Sequence, residues 1–349
     1  MTSLSTDPRE ASSAVEVRDR MLARVEERIE TLLGEERGRW SAVNRRGAVL
    51  VDAVAALVEA GGKRLRPAFC LSGYLAAGGD PAENTVVDGA AALEFLHAFA
   101  LLHDDVLDDS SMRRGAPTAH VVQAEEHRDK GWRGESRRFG EGVANLAGDL
   151  AHIYADRLAG VMSAGAREIW TELKTEVIIG QYLDVAVAAE FLPDPALSRW
   201  IADCKSGRYT IHRPLQLGAS VAGRDDLADV FGRYGHALGE AFQLRDDLID
   251  AFGDSDVSGK PAGLDFEGNK MTLLLALAME RDNRIGDLVS GDPAPLRRAL
   301  EEMGVRSEVE KRIDGLVEEA QQAIAEAPVE PGWREELSAM AVRTAYRTR

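Results

Sequence analysis

The stretch "EFLHAFALLHDDVLDDSSMRRG", residues 94–115, runs from an apolar helical pattern straight into four carboxylates and two arginines. An ideal helix turns about 100° per residue, so side chains three, four or seven apart share a face. His97, Leu101, Asp104 and Asp108 therefore form one stripe, with Asp105 beside it and Asp109 turned away. Like charges four residues apart oppose a helix by roughly 0.2–0.5 kcal/mol. Carboxylates at a helix C-terminus also oppose its dipole. Two local rules broken together point to a functional site.

A second stretch repeats the pattern. In "FQLRDDLIDAFGD", residues 242–254, Gln243, Asp246, Asp247 and Asp250 fall within about one quadrant of a helix flanked by apolar residues. Two Asp-Asp-x-x-Asp clusters in apolar helices call for hard cations. Mg²⁺ takes oxygen ligands, keeps waters and is commonly shared between carboxylates and phosphates. Histidines and cysteines are not spaced as zinc ligands, and the Glu-x-x-His pattern of a di-iron bundle is missing.

Composition sets the frame. The 349 residues carry 42 basic and 59 acidic side chains, a formal charge of −17. That balance argues against nucleic acid, which needs a basic footprint, and any anionic ligand must be held by local cations or metal. Cys70 and Cys204 stand far apart with no CxxC pattern, so a reducing, cytoplasmic setting is expected. The N-terminal "MTSLSTDPREASSAVEV" has no secretory pattern. Apolar runs such as "MTLLLALAM" fall short of a membrane span, so no stable membrane insertion is expected.

Helical periodicity recurs near 15–35, 47–60, 67–77, 86–108, 141–162, 167–190, 227–252, 269–281, 292–303 and 307–326. No alternating strand or Asn-Gly hairpin signal stands out. Residues 123–140 read as a long polar connection. The expectation is a disordered segment over 1–14, then one all-α domain over 15–349, a single-domain helical bundle of about ten or more helices around a central apolar cavity.

Positive charge is concentrated in a few places. "GGKRLRP" (61–67) offers Lys63, Arg64 and Arg66 beside a turn, with Gly61 as helix C-cap and Pro67 opening the next helix. Arg113 and Arg114 follow the first cluster. Lys205 lies in "KSGRYT", and Lys260 and Lys270 in "GKPAGLDFEGNKMTLL".

Taken in order, "GGKRLRP", "HAFALLHDDVLDDSSMRRG", "AGDL", "GQYLD", "KSGRYT", "FQLRDDLID" and "GK…D…GNKMTLL" resemble the polyprenyl synthetase family, the trans-isoprenyl diphosphate synthases. The resemblance covers about residues 60–275 and implies the isoprenoid synthase fold. It implies that Asp104, Asp105, Asp108, Asp246, Asp247 and Asp250 hold Mg²⁺, three ions per site, on an allylic diphosphate (dimethylallyl, geranyl or farnesyl). Arg113, Lys205 and Lys260 match cations that grip this diphosphate, and Lys270 joins the substrate-binding set. Lys63, Arg66, His97 and Arg114 match the pocket for isopentenyl diphosphate. Thr210 and Gln243 match polar groups near the reacting carbons, so Lys205, Thr210, Gln243 and Arg113 are the catalytic candidates. Gln181 and Asp184 line the cavity. Ser206 stands where the family commonly has Thr. Arg113 and Arg114 are thus expected to serve two substrates rather than to pair with the first cluster. A homodimer is implied by the family alone.

The implied reaction is Mg²⁺-dependent head-to-tail prenyl transfer. No Ser, Cys or Lys nucleophile is required, and apolar walls would protect the allylic cation from water. Phe99, the fifth residue before Asp104, with small Ala100 after it and Leu96 one turn earlier, resembles geranylgeranyl (C20) synthases. Helix arithmetic alone sets Phe99 roughly 140° from Asp104. The alternatives are a farnesyl (C15) or longer product, a class I terpene cyclase, or a non-catalytic partner subunit. A cyclase does not need the complete second aspartate cluster or the second cation set, and a non-catalytic subunit would tend to lose aspartates, whereas this chain retains all six.

Overall fold

The computed structural model describes residues 13–253, 264–268, 270–289 and 293–347. Within these residues the chain is helical nearly throughout. The first helix, α1 (Ala14–Val43), starts at a capping box in which Ser13 and Glu16 bond each other's backbone N–H. Then follow α2 (Val49–Glu59), α3 (Leu65–Ala76) and α4 (Thr85–Leu107). Gly61 takes φ +85 just after α2, as a C-cap glycine should. The next helix begins before Pro67, at Leu65.

The α4 helix carries the first cluster at its C-terminal end and is the central strut of the fold. It packs against α1, α2, α3 and α6 (Ser136–Ala159), so few of its faces meet water. By length and composition alone α4 is apolar enough to span a membrane, but 67% of that apolar stretch is buried inside the fold, as expected of a helix apolar on most sides.

Two corrections concern the segment after α4. Met112–Arg113 (β1) and Ala116–Pro117 (β2) pair antiparallel as a minimal hairpin. Its two-residue turn uses Arg114 at φ 54 and Gly115 at φ 78, the left-handed pair that tight hairpins need. Thr118 closes the base, donating from Oγ1 to Ser110 O at 2.8 Å. The polar stretch 123–140 is mostly helical. The α5 helix (Ala119–Asp129) buries His120, Ala124 and His127, and α6 starts at Ser136.

The remaining elements are α7 (Ala164–Glu190), α8 (Pro195–Ala202), a π-helical segment (Asp203–His212), α9 (Arg213–Val221) and α10 (Ala228–Phe252). After these come α11 (Leu264–Glu267), α12 (Leu273–Arg281), α13 (Pro293–Glu302), α14 (Val305–Ala325) and α15 (Pro331–Ala345). Residues 195–221 and α15 were outside the helical windows read from the sequence. The π segment and α10 meet backbone to backbone. A Cβ on Gly239 would lie 2.5 Å from Gly207 Cα, so only glycine permits this approach. It carries Lys205 and Thr210 alongside the helix that bears the second cluster. π-helical turns are often found at functional sites.

Candidate active site

At the end of α4, Asp104 and Asp105 are drawn into a shared ion-pair network. Arg113, returned by the hairpin, donates from Nε to Asp105 Oδ1 at 2.5 Å and from Nη2 to Asp104 Oδ2 at 3.1 Å. Lys205 Nζ lies 3.4 Å from Asp104 Oδ1 and 2.6 Å from Asp184 Oδ2. Gln181 donates to Asp104 Oδ1 at 3.2 Å. Arg113 therefore does pair with the cluster, contrary to expectation. The hairpin is too short to carry its guanidinium away from the nearest carboxylates. Burial raises the Asp104 carboxyl, but Lys205, Lys270 and Arg113 together bring it below its usual range. For Asp105, which is 3% exposed, burial outweighs Arg113 and the carboxyl is raised. Asp109 is exposed with φ 49, and its nearest cation is Arg137 at 3.7 Å, so it stands apart.

The second cluster lies across from the first. Lys270 Nζ donates to Asp108 Oδ2 at 2.7 Å and lies 3.8 Å from Asp265 Oδ1. The Asp265 N–H in turn donates to Asp250 Oδ2 at 3.1 Å. This chain of contacts joins the two aspartate motifs through Lys270, which lies 162 positions from Asp108, and the Asp265 backbone. Asp247 is 4% exposed and accepts from Gln243 Nε2 at 2.7 Å. Burial and then the neighbouring Asp265 push its carboxyl well above the usual range. Asp265 itself is raised to about 6 by burial and Asp250, against the pull of Lys270. Asp246 pairs with Arg347, whose guanidinium also lies over the Phe242 ring at 3.6 Å.

A separate basic pocket surrounds His97. Its Nδ1 is 3.2 Å from Tyr209 Oη, and the Arg66 guanidinium sits 4.1 Å from the Tyr209 ring centroid. Burial first, then Arg66, Arg114 and Arg113, hold the imidazole well below its usual pKa. It is therefore a neutral hydrogen-bonding group at physiological pH. Arg66 Nε is buried without a hydrogen-bond partner. Arg114 donates to Leu57 O at 3.1 Å and lies over Gly62, so it caps the "GGKRLRP" loop that holds Lys63. Arg64 is the exception in that loop. It bonds Glu26 and buried Glu94 at 2.5 and 2.7 Å and is committed to the scaffold.

The donor set suits Mg²⁺. Carboxylate oxygens on two facing elements dominate, and no thiol joins them. Among the described residues no group of three His, Cys, Asp or Glu side chains is placed to hold a metal ion as it stands. A hard ion completes its shell with water and phosphate oxygens. Thr210 is fully buried beside this region, with Oγ1 lacking a hydrogen-bond partner. Lys260 lies outside the described residues. Phe99 and Ala100 are half-buried and Leu96 fully buried. Sequence reasoning passed over Tyr209, Asp265 and Arg347 as site residues. The first two were visible inside quoted motifs, whereas nothing local to Arg347 signals its reach to Asp246.

Comparisons with known proteins bear on the family and the fold. The polyprenyl synthetase family pattern matches residues 48–301. Geranylfarnesyl diphosphate synthase of Aeropyrum pernix is 31% identical over 304 residues, 80% of this chain and 88% of that protein. Farnesyl diphosphate synthase of Geobacillus stearothermophilus is 35% identical over 249 residues, covering 66% and 76% of the two chains. A crystal structure of geranylgeranyl pyrophosphate synthase from Corynebacterium glutamicum, complexed with isoprenyl diphosphate and magnesium, superposes with a TM-score of 0.88. It is 35% identical, over 94% of this chain and 99% of that one. The all-α isoprenoid synthase fold, the joined aspartate motifs and these matches make this chain a prenyltransferase of the polyprenyl synthetase family.

Proposed function

We propose that the protein condenses isopentenyl diphosphate head to tail with allylic diphosphates to give chiefly geranylgeranyl diphosphate (C20). The observation that supports this reading is the presence of two separate polar sites. One is the paired aspartate clusters with Lys205, Lys270 and Arg113, suited to a metal-bound diphosphate. The other is the basic pocket of Lys63, Arg66, Arg114 and His97, suited to a second diphosphate. A class I terpene cyclase needs only the first.

Three Mg²⁺ ions held by Asp104, Asp105, Asp108, Asp246, Asp247 and Asp250 would neutralise the leaving diphosphate when bound. Arg113, Lys205 and Lys270 sit where they would turn from carboxylates to phosphate oxygens and hold the departing group. The allylic C–O bond breaks and the diphosphate leaves with its electron pair. The double bond of isopentenyl diphosphate then forms the new C–C bond, and loss of one proton to the released diphosphate restores an allylic product. Neutral His97 binds rather than transfers a proton. Thr210 and Gln243 line the region of the reacting carbons, and Phe99 bounds the far end of the growing chain.

A homodimer is part of this reading. Leu146 and Ile153 on α6 and Ile178, Tyr182 and Val185 on α7 are exposed at helical spacing, an apolar face that a second copy would cover.

The test is purified protein with Mg²⁺, isopentenyl diphosphate and, separately, dimethylallyl, geranyl and farnesyl diphosphate. Product length is read by chromatography of the dephosphorylated alcohols. A main C20 product is expected, and no elongation of any primer would overturn the reading.

A further inference from the structure

A patch of positive charge stands apart from the active site, where α1 gives way to α2. Residues 37–48, "RGRWSAVNRRGA", contain four arginines and no carboxylate, in a chain of net charge −17. Every residue from Gly38 to Gly47 is exposed, and the apolar side chains of Val43 and Trp40 are among them, at 74% and 37%. The turn that presents them is tightly built. Asn44 N–H donates to Trp40 O at 3.1 Å, Gly47 N–H to Asn44 O at 2.7 Å, and Arg46 N–H to Asn44 Oδ1 at 2.9 Å. A Cβ on Gly47 would fall 2.7 Å from Trp40 O, so the chain doubles back here only because glycine stands at the bend.

Few acids answer these cations. Arg37 is paired with Asp52 at 2.6 Å. Buried Glu36 is shared by Arg39 at 3.6 Å, Arg157 of α6 at 2.9 Å and the Trp40 indole N–H at 2.9 Å. Arg45 and Arg46 have no carboxylate partner among the described residues. Two cations just past a helix C-terminus also suit its dipole, but that role asks nothing of the exposed Val43 and Trp40 beside them. The patch lies at the end of the molecule away from the aspartates. Tyr154 on α6 donates to Glu36 at 3.3 Å and packs edge-on against Phe95, one turn before Phe99 on α4. From here the 11 residues of α2 rise about 15 Å to the "GGKRLRP" loop.

We propose that this surface docks the protein reversibly on an anionic lipid bilayer. The arginines attract acidic headgroups, while Trp40 and Val43 enter the interface between them. A bilayer is favoured over an acidic protein because cations and apolar side chains share one tip, the pairing that a headgroup layer over hydrocarbon matches. At physiological salt the screening length is about 8 Å, so the patch acts on the headgroups while the distant carboxylates are screened. No spanning segment is required, and α4 stays in the core. The use of such docking rests on the reading above, in which an apolar C20 chain grows towards this end of the molecule and is better solvated by lipid than by water.

The experiment is co-sedimentation of the full chain, without substrates, with vesicles of phosphatidylcholine alone and of equal parts phosphatidylcholine and phosphatidylglycerol. Binding is expected on the mixed vesicles only, and should be lost as salt is raised to about 1 M, where the screening length falls to about 3 Å. The double variant Arg45→Gln, Arg46→Gln should bind the mixed vesicles about 30-fold more weakly, and Val43→Ser about fivefold more weakly. Melting temperature and prenyl transfer in vesicle-free solution should match the wild type for both, since all three side chains are exposed and remote from the site. No binding to mixed vesicles, equal binding to both kinds, or unchanged binding of either variant would overturn the inference. So would retention on immobilised polyglutamate without vesicle binding, which would assign the patch to an acidic protein. Prenyl transfer is read in its own assay, so a failure of docking leaves the proposed reaction standing, and the reverse holds too.

Discussion

Asp247→Asn separates what the second cluster does for stability from what it does for chemistry. Asp247 is 4% exposed and accepts a hydrogen bond from Gln243, and no cation pairs with it among the described residues. Burial, then Asp265, and behind them Asp246 and Asp250 raise its pKa well above the usual value. An acid whose folded pKa exceeds its unfolded value of about 3.9 favours the fold only while protonated. Its contribution is complete below about pH 4 and is lost as pH climbs through the raised pKa. Asparagine keeps the shape and the acceptor for Gln243 but cannot ionise. The variant should therefore gain on the wild type as pH rises, by about 1–3 kcal/mol at neutrality, the scale for an imperfectly compensated buried polar group. Unfolding entropy of about 2.1 cal/mol/K per residue, over 349 residues, converts each kcal/mol into about 1.4 °C. A Tm increase of about 1.5–4 °C is expected in EDTA at neutral pH, with no difference near pH 4. Turnover with Mg²⁺ should fall about 10²–10³-fold, as when one electrostatic stabiliser is removed. Calorimetry across pH and a steady-state assay read both. A lower Tm at neutral pH, or a gap that ignores pH, would show the charge to be structural and refute the reasoning.

Other perturbations probe the rest of the site and scaffold. His212 is 5% exposed, has both ring nitrogens unpartnered, and is brought to a pKa of about 3 chiefly by burial. Its neutral form favours the fold, so stability present above about pH 6.5 is lost as pH falls towards 3. This single group should cost about 2 kcal/mol between pH 7 and 5, and urea melts of His212→Leu should show a correspondingly flatter pH dependence. Arg347→Ala removes a cation from Asp246. A partly exposed pair is worth up to about 1 kcal/mol, so Mn²⁺ followed by EPR should bind the substrate-free protein up to about fivefold more tightly, and unchanged binding would exclude competition at Asp246. Arg64→Met strands buried Glu94 and should cost about 3 kcal/mol in stability. Arg66→Met should instead raise the KM for isopentenyl diphosphate with little change in Tm.

Much of the fold and the aspartate site is legible because it depends on local period and spacing. The α4 and α10 helices show their carboxylates at three- and four-residue intervals, and helical geometry turns such intervals into shared faces. The missed elements break that logic for specific reasons. Pro195, Gly207 and Pro214 interrupt periodicity around the π segment, while tertiary packing against α10 supplies what local propensity lacks. The hairpin carries Arg114 in the left-handed position where a more familiar signal would be asparagine. In α5 two histidines and one alanine do the burying, so no apolar stripe announces the helix. Partner choice is still less visible. Arg64 and Arg66 are two residues apart in one basic loop, yet Arg64 turns to Glu26 and Glu94 while Arg66 lies over Tyr209.

The same distinction explains how a chain with net charge −17 can hold two carboxylate clusters close together. Repulsion within each cluster is local, set by the three- and four-residue spacings. Its compensation comes partly from Arg113 on the adjoining hairpin and otherwise from afar: Lys205 and Lys270 reach Asp104 and Asp108 from 101 and 162 residues away, and Arg347 reaches Asp246. Among the described residues, Asp247 alone in the two motifs has a deeply buried carboxylate with no cation beside it, and it accepts a hydrogen bond from the Gln243 amide. The uneven distribution has a chemical consequence. Groups already balanced by lysine or arginine can exchange those cations for phosphate-bound metal at little net electrostatic cost, since one positive partner replaces another. Among the described residues Asp247 has no such partner to give up, so an arriving cation relieves its burial directly. The largest gain in cation affinity from a single carboxylate should accordingly come from Asp247, whose charged form is opposed by burial and by the neighbouring Asp265.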